Sequence, residues 1–304
     1  MTLLPLHRET DGPHAGIVTL TLEQRNSDGT LRPVVVLDHD LMIRLDATLD
    51  AVPGDARGLV LASAAPRAFV AGADLKAVAN LDDEHLHRYL ELGARVFARL
   101  CACPFPTAAA INAAALGGGL EIAMHCDGLI GATPVAAADR PAKPYPVGLP
   151  EAGLGICPGW GGTNLLPARL DPATAITMTA EGKPTTSDKA TGLFDAVASE
   201  GKSVIDAAKR WLTTQRITRG DRDGAPRMWI GRPAIAAKVL SSLDSIRGRL
   251  ADTEAARAVA EAVEVGLSRG WQAAIACERE HLVRLRHTPR AKEAIAAFFA
   301  RSGG

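Results

Sequence analysis

The sequence contains few aromatic residues and no long apolar run. Phe, Trp and Tyr make up 4% of its 304 residues, so we expect helices that pack closely through small side chains such as Ala. No apolar run approaches the roughly 20 residues that a membrane-spanning helix needs. Residues 1–10 also lack the basic-then-apolar order of a signal peptide. These absences predict a cytoplasmic protein that does not enter a membrane.

Several motifs of common catalytic and metal sites are also absent. The five cysteines include no Cys-x-x-Cys pair and are odd in number, which argues against a disulfide framework and a structural zinc site. There is no Gly-x-Ser-x-Gly elbow, no Gly-x-Gly-x-x-Gly dinucleotide fingerprint, and no P-loop, since no Lys precedes Thr163. Glu121 and His125 are four residues apart and could ligate a metal together, but no third ligand lies nearby. We therefore expect no metal.

The net charge is zero, but the charges are unevenly distributed along the chain. Residues 201–304 carry 19 Lys and Arg against 11 Asp and Glu, and residues 1–200 carry 15 against 23. We expect these two parts to attract each other. The C-terminal cations are interleaved with acids at helical spacing, and the Trp and Tyr residues are not clustered with them, so no nucleic-acid-binding face is predicted.

Hydrophobic periodicity predicts a chain of mixed strands and helices. Apolar runs rich in β-branched residues indicate strands, and apolar residues spaced by three or four indicate helices. The first third alternates as strand, strand, helix, strand, whereas the chain from Asp171 onward is mainly helical. The predicted strands include 17–22, 34–37, 58–62, 107–112 and 126–132, the predicted helices include 40–51, 84–100, 254–266 and 271–286, and the predicted irregular segments are a Pro/Ala-rich loop at 134–146 and a polar linker at 216–226.

Residues 117–121, Gly-Gly-Gly-Leu-Glu, combine a tight turn with the start of an apolar helix. Three consecutive glycines cost backbone entropy, and they are typical of positions where a dihedral angle or a close approach excludes a Cβ atom. The free N–H groups at a helix start are electropositive and can stabilise an oxyanion that forms during a reaction. The small-residue loop at 71–75 could offer a second backbone donor, and Asp74 could begin a helix. Glu121 could also serve only to stabilise the helix dipole.

Glu121 and Glu151 both lie beside glycine-rich or proline-flanked turns, where a scaffold exposes side chains to a cleft. A second glycine-rich turn follows at 155–163. Two carboxyl groups in one apolar pocket do not both ionise easily, so one can act as a base and the other as an acid. Spacing alone favours the simpler interpretation that they are unrelated surface acids.

Taken together, four motifs resemble the crotonase (enoyl-CoA hydratase/isomerase) family in order and spacing: Ala-Gly-Ala-Asp-Leu at 71–75, Gly-Gly-Gly-Leu-Glu at 117–121, Leu-Pro-Glu at 149–151 and Pro-Gly-Trp-Gly-Gly-Thr at 158–163. The C-terminal stretch resembles the linker helices that follow the hydratase half of multifunctional fatty-acid oxidation enzymes. The resemblance implies an α/β fold, a crotonase-type spiral of ββα units followed by a C-terminal α-helical region. The implied domains are a hydratase core at 1–200 and a linker-helix-like region at 201–304.

The resemblance also implies the roles of individual residues. The backbone N–H groups of Ala73 and Gly118 match the family's oxyanion hole, Glu121 matches the base that acts on water, and Glu151 matches the group that supplies the α-proton. The implied substrate-binding residues are Ala71, Gly72, Asp74, Leu75, Gly117, Gly119, Pro150 and Gly159. No separate cofactor is implied, because coenzyme A is part of the substrate. The sequence departs from the family at residues 133–147, which are longer and richer in proline than the usual connection.

The presence of both glutamates favours an enoyl-CoA hydratase, which adds water to a trans-2-enoyl-CoA. A Δ3,Δ2-enoyl-CoA isomerase that uses the same site is the near alternative, and a non-catalytic acyl-CoA-binding protein is the alternative of another class. The expected partner is the acyl-CoA thioester substrate, and the resemblance implies a homo-oligomer, a trimer or a hexamer.

Overall fold

The computed structural model describes residues 2–134, 142–217 and 222–302. The predicted Pro/Ala-rich loop at 134–146 and the predicted linker at 216–226 therefore lie partly outside the described residues. Across the described ranges, no helix combines the length and apolar character needed to cross a membrane.

The described chain contains short strands and helices in alternation, followed by a run of helices. The strands are β1 (Leu6–Arg8), β2 (Ile17–Leu22), β3 (Gly58–Ser63), β4 (Ala68–Val70), β5 (Thr107–Ile111), β6 (Ala114–Leu116), β7 (Gly128–Gly131), β8 (Pro146–Gly148), β9 (Thr185–Thr186) and β10 (Ala196–Val197). The helices are α1 (His39–Asp50), α2 (Leu75–Asn80), α3 (Asp83–Ala102), α4 (Gly118–Met124), α5 (Gly162–Leu165), α6 (Pro172–Glu181), α7 (Val204–Thr214), α8 (Pro233–Ile246), α9 (Glu254–Arg269), α10 (Trp271–Leu285) and α11 (Pro289–Ser302).

The strands form two sheets, and from β3 to β8 successive strands of the chain alternate between them. One sheet has the order β1-β2-β3-β5-β7-β10, and the other has the order β4-β6-β8-β9. Among the strand pairs in the described ranges, β1 with β2 and β8 with β9 are antiparallel and the others are parallel. The pairs β3/β4, β5/β6 and β7/β8 each place one strand in each sheet before the chain enters a helix. The fold is therefore a succession of ββα units.

Alternate side chains of the six-stranded sheet enter two separate apolar layers. On β2 and β3, Val18 and Leu59 belong to the large core beneath the helices, whereas Ile17 and Val60 face the other layer. This is the two-residue period expected of a sheet that is covered on both faces. Helix α7 covers the second layer, and a Cβ atom at Gly58 would lie 3.1 Å from a methyl group of Leu212. Residues after position 200 therefore pack on the sheet, while the domain division at 200/201 stays a prediction.

The predicted strand at 34–37 is wrong. Within this segment, Leu37 alone forms a β-bridge, an isolated one with Ala73. The side-chain amide of Gln24 takes the place of a neighbouring strand, because Nε2 donates to the Val36 carbonyl at 3.0 Å and the Val36 amide donates to Oε1 at 2.9 Å. The segment is apolar because Leu37 is buried in the core. The loop at 71–72 also bonds to its backbone, since the Ala71 amide donates to the Val35 carbonyl and the Leu37 amide donates to the Gly72 carbonyl.

The C-terminal helices fold back on the sheets and on the site described below. Helix α10 packs on α9 and α3, and α11 packs on α2 and on the 3-10 turn Glu151–Leu154. Ion pairs join the basic C-terminal part to the acidic N-terminal part, as the charge distribution predicts. They include Lys209 with Glu9, Arg222 with Asp127 and Arg286 with Asp83.

Candidate active site

The glycine turn connects β6 to α4 at the meeting point of several elements. Gly117 has φ +53°, and a Cβ atom there would overlap Oε1 of Glu151. A Cβ atom at Gly119 would overlap the carbonyl of Val70 at the end of β4. The turn therefore needs glycine because other groups occupy the space that side chains would fill.

The loop after β4 lies against this turn. A Cβ atom at Gly72, which has φ +121°, would lie 3.2 Å from the Leu116 carbonyl and 3.9 Å from the Gly118 amide nitrogen. Gly118 is the first residue of α4, so its N–H has no preceding helical carbonyl to bond. Among the described residues, neither this amide nor that of Ala73 donates in a turn, loop or cap hydrogen bond. The two donors implied by the resemblance thus lie on adjacent loops, both at small residues.

Asp74 has a structural role in the same loop. Its side chain caps α2 by accepting a hydrogen bond from the Lys76 amide at 2.9 Å, as the sequence predicted for a helix start. Its own amide donates to the Tyr89 hydroxyl at 3.1 Å, and that hydroxyl donates to the Leu37 carbonyl. These bonds fix the loop that carries Ala73.

Glu121 is buried, with its carboxylate held by the second glycine-rich turn. Its Oε1 atom accepts hydrogen bonds from the amides of Trp160 and Gly162, both at 2.8 Å. Burial raises the pKa of Glu121 well above its usual range, the carboxyl groups of Glu278 and Glu151 raise it further, and the two amides oppose the rise. The side chain is therefore a buried carboxyl group with two fixed donors, and the surface interpretation is wrong for it.

Glu151 lies at the start of the 3-10 turn that follows β8. Its Oε1 atom faces Gly117, and its Oε2 atom is buried without a hydrogen-bond partner among the described residues. Burial raises the pKa of Glu151 to about 8, and the carboxyl group of Glu278 also raises it. Because an ionised oxygen without a donor is costly in a buried site, this carboxyl group keeps its proton at neutral pH.

A third carboxyl group, Glu278 of α10, completes the cluster, and sequence reasoning missed it. Its two oxygens accept hydrogen bonds from the amides of Gly161 and Thr163 and from the Thr163 hydroxyl. Burial raises the pKa of Glu278 to about 7, and these donors oppose the rise. A signal was present in the sequence, because Glu278 falls on the apolar stripe of its helix, three residues after Ile275 and four before Leu282.

Glu121 and His125, which could ligate a metal together by their spacing, do not form such a pair. The Nδ1 atom of His125 lies 2.8 Å from the backbone carbonyl of Glu121, whereas the Glu121 carboxylate faces the second glycine-rich turn. The ring of His125 packs edge-on against Phe97 and Trp271, and burial lowers the pKa of His125 to about 4. His125 is therefore a neutral side chain of the core.

A second group of possible metal ligands lies on α9 and α10. The ligand atoms of Glu261, Cys277 and His281 lie within 4.8 Å of one another. The Nε2 atom of His281 is 3.2 Å from Glu261, and its Nδ1 atom is 3.4 Å from the guanidinium of Arg284. A metal-bound histidine normally donates its other ring N–H to an acceptor, which a guanidinium is not, so these residues do not fit a metal ion.

A cavity of about 560 Å³ brings most of the sequence-predicted site residues together. Its lining includes Glu121, Glu151, Ala71, Gly72, Ala73, Asp74, Leu75, Gly117, Pro150 and Gly159, but not Gly118 and Gly119. The sequence did not predict that the C-terminal helices also line it, through Leu282, Phe298, Phe299 and Arg301. A neighbouring cleft of about 840 Å³ between α2 and α11 contains none of the three glutamates.

The enoyl-CoA hydratase/isomerase family profile matches residues 13–220 of this chain. The chain belongs to that family. Fatty acid oxidation complex subunit alpha of Vibrio cholerae is 31% identical over 270 residues, which cover 84% of this chain and 36% of the relative. The same subunit of Aliivibrio fischeri is 32% identical over 252 residues, which cover 80% of this chain and 35% of the relative. The chain thus spans just over a third of the length of these relatives.

Solved structures show the same fold at low sequence identity. Human mitochondrial delta3-delta2-enoyl-CoA isomerase has a TM-score of 0.65 at 20% identity, over 99% of this chain and 98% of its own. Enoyl-CoA hydratase from Bacillus halodurans has a TM-score of 0.62 at 19% identity, over 96% of this chain and 99% of its own. The resemblance seen in the sequence and the crotonase-type fold with its C-terminal helices are therefore confirmed.

Proposed function

We propose that this protein is an enoyl-CoA hydratase that adds water to a trans-2-enoyl-CoA with syn geometry and releases a 3-hydroxyacyl-CoA. The observation that carries the proposal is the pair of unequal carboxyl groups at one cavity. Glu121 has two amide donors that favour its ionised form against the effects of burial and of its carboxyl neighbours, whereas Glu151 has a buried oxygen without a donor and favours its protonated form. Hydration needs one group of each kind.

The proposed mechanism uses four groups on adjacent loops. The amides of Ala73 and Gly118 hydrogen-bond the thioester carbonyl and stabilise the enolate oxyanion as charge develops on it. Glu121 takes a proton from a water molecule, whose oxygen bonds to Cβ of the substrate. Glu151 then delivers its proton to Cα, and both carboxyl groups return to their starting states by proton exchange with solvent.

The isomerase alternative is supported by Glu151. A single carboxyl group with a pKa of about 8 beside the oxyanion donors suits a proton shuttle between Cα and Cγ, which needs no water. A non-catalytic acyl-CoA-binding role is disfavoured because both glutamates and the glycine turn are present.

The apolar lining of the cavity, including Leu282, Leu90 and Phe299, suits a hydrocarbon acyl group. The two bacterial relatives are named as fatty acid oxidation subunits, so we place the reaction in fatty-acid or related acyl-CoA degradation. An acyl-CoA thioester is the proposed partner. The homo-oligomeric state and the cytoplasmic location stay predictions.

The test follows the ultraviolet absorbance of the enoyl thioester with short-chain and medium-chain trans-2-enoyl-CoA. Wild type is compared with Glu121→Gln, Glu151→Gln and the exposed control Glu280→Gln on α10. Loss of a general acid or base typically costs about 10²–10⁴-fold in rate, so we expect this fall in the first two variants and none in the control. Absorbance that appears from a 3-enoyl-CoA but never falls with a 2-enoyl-CoA would favour the isomerase. Silence with both substrates would favour the binding protein.

A further inference from the structure

One glycine-rich segment contacts two buried carboxylates in alternation. Residues 160–163, here called the amide turn, present four consecutive backbone N–H groups. The first and third amides donate to Oε1 of Glu121, both at 2.8 Å. The second and fourth donate to Oε2 and Oε1 of Glu278, the fourth at 2.8 Å. The amide turn thus lies between the two side chains.

Within the described part of the chain, the four N–H groups of the amide turn donate to these two carboxylates and form no other turn, loop or cap hydrogen bond. Gly161 has φ +99°, and Gly162 starts the short helix α5, so the turn is a bend whose N–H groups cannot be satisfied by a preceding helical turn. Glu278 reaches it from a different part of the chain, since α10 is more than a hundred residues away in sequence. The position of the donors that hold Glu121 therefore depends on a side chain of the C-terminal helical region.

We infer that Glu278 is a positioning residue for the reaction: it anchors the amide turn so that the turn aims the Glu121 carboxylate, and it places a second carboxylate on the same turn. This inference deepens the proposed hydratase function and rests on it for the kinetic part. Glu278 does not line the cavity, so it acts through Glu121 and not on the substrate.

The groups that face Glu278 give this inference its direction. The titratable groups whose pKa the Glu278 charge raises are Glu121 on α4, Glu151 on the 3-10 turn, Cys157 in the loop before the amide turn, and the adjacent Cys277 on α10. Among the described residues, its hydrogen-bond donors are two amides and the Thr163 hydroxyl, and none of them is a cation. Its negative charge therefore raises the pKa of Glu121, and none of its hydrogen-bond donors neutralises that charge. Removal of the charge should lower the pKa of Glu121.

Glu278→Gln is the informative substitution because it changes few atoms. Both carboxylate oxygens accept an N–H, whereas a carboxamide offers one acceptor and one NH₂ group, so one amide of the turn would face a donor. The substitution also removes the charge. Glu278→Asp keeps the charge but is one methylene shorter, so it separates the anchoring from the electrostatic effect. Glu280→Gln removes a charge from the exposed face of the same helix and is the matched control.

The first measurement is hydrogen–deuterium exchange of peptides covering residues 158–165, which needs no activity. In Glu278→Gln and in Glu278→Asp we expect exchange of the amide turn to become faster by at least about tenfold, because its local opening becomes easier. Glu280→Gln is expected to match wild type. Protection of the amide turn that stays at the wild-type level in both Glu278 variants would overturn the anchoring.

The second measurement is the pH–rate profile of enoyl-CoA hydration. For Glu278→Gln we expect kcat to fall about tenfold or more with little change in KM, because a misplaced reacting group slows the chemical step. The acidic limb of kcat/KM, which reports ionisation of the base, should move to lower pH by at least about half a unit. In Glu278→Asp the limb should stay in place while kcat falls.

These outcomes separate the two proposals. A limb that does not move in Glu278→Gln would overturn the electrostatic role, and if that variant does not fold, wild-type kcat and protection in Glu278→Asp would overturn the positioning role. A wild-type protein that is silent with every enoyl thioester would contradict the hydratase, while the exchange measurement would still decide whether Glu278 anchors the amide turn.

Discussion

Gly117 joins the backbone conformation of the turn to the position of a proposed catalytic acid. Its φ of +53° lies in a region that L-residues with a side chain rarely adopt, and the space beside its Cα is filled by the carboxyl group of Glu151. The residue therefore acts on the site by having no side chain.

For Gly117→Ala we expect a loss of stability of about 1–3 kcal/mol from backbone strain. We also expect kcat for hydration to fall by up to about 100-fold, since a 1 Å displacement of a reacting group can cost that much. Urea unfolding and the absorbance assay measure the two effects. Gly54→Ala is the control, because Gly54 has no positive φ and nothing within 4 Å of the added atom. Equal kinetics in both variants would contradict the proposed role of Glu151.

A buried ion pair joins Arg222, in the polar linker, to Asp127, which directly precedes β7. Both terminal nitrogens of Arg222 donate to the carboxylate of Asp127, each at 2.7 Å, and Asp127 also accepts from the amide and hydroxyl of Thr107 at the start of β5. The Asp127 side chain is 1% exposed and that of Arg222 is 11% exposed. The pair therefore has little access to water.

Arg222→Met should destabilise the protein by about 3–5 kcal/mol, because it leaves the Asp127 carboxylate buried without its partner. Arg8 forms a similar two-pronged pair with Asp55, but this pair is open to solvent. Arg8→Met should therefore change stability little. Urea midpoints compare the two variants, and a smaller loss in Arg222→Met than in Arg8→Met would refute the assignment. The double variant Asp127→Asn/Arg222→Met should recover part of the loss.

Local patterns predicted much of the fold, and contacts between distant residues account for what they missed. The glycine turn, the cap at Asp74 and the strands β2, β3, β5 and β7 follow from neighbouring residues, so the sequence alone places them. The prediction of a strand at 34–37 was wrong because a side chain outside the segment, that of Gln24, bonds to the backbone of Val36. Glu278 was missed because an acidic residue in a helix is normally taken to be exposed to solvent. The turn that binds its carboxylate is more than a hundred residues away in the sequence.

In the candidate site, too, local motifs were predicted from the sequence and contacts between distant segments were not. The resemblance named two glutamates and two backbone donors, and the structure places Glu121, Glu151 and Ala73 in the lining of one cavity, with Gly118 directly after the lining residue Gly117. Their roles stay predictions. The part played by α10 and α11 in lining that cavity depends on how the C-terminal helices fold back, which the sequence pattern does not specify.

Stability of the whole protein should fall as pH rises from about 6.5 to about 8. The folded-state pKa values of Glu278 and Glu151 are raised to about 7 and about 8, so in this range the folded state binds more protons than the unfolded state. His125 acts in the opposite sense, because burial lowers its pKa to about 4, but only the last few tenths of a kcal/mol of its contribution, by rough linkage arithmetic, arise above about pH 6.5.

We expect the free energy of unfolding to be lower at pH 8.5 than at pH 6.5 by an amount on the order of 1–2 kcal/mol. Urea unfolding at the two pH values measures it. Glu151→Gln should reduce the difference, because the carboxamide has no proton to lose. A midpoint that rises with pH over this range would show that the buried carboxyl groups do not carry the raised pKa values.

Glu278 lies 117 positions after Gly161, the residue whose amide it accepts. Protein chains are made from the N-terminus, so the ribosome releases every strand of both sheets before it releases α10. The amide turn then exists for a time with only one of its two carboxylates. We therefore expect the amide turn to acquire its second carboxylate contact only after α10 has been synthesised.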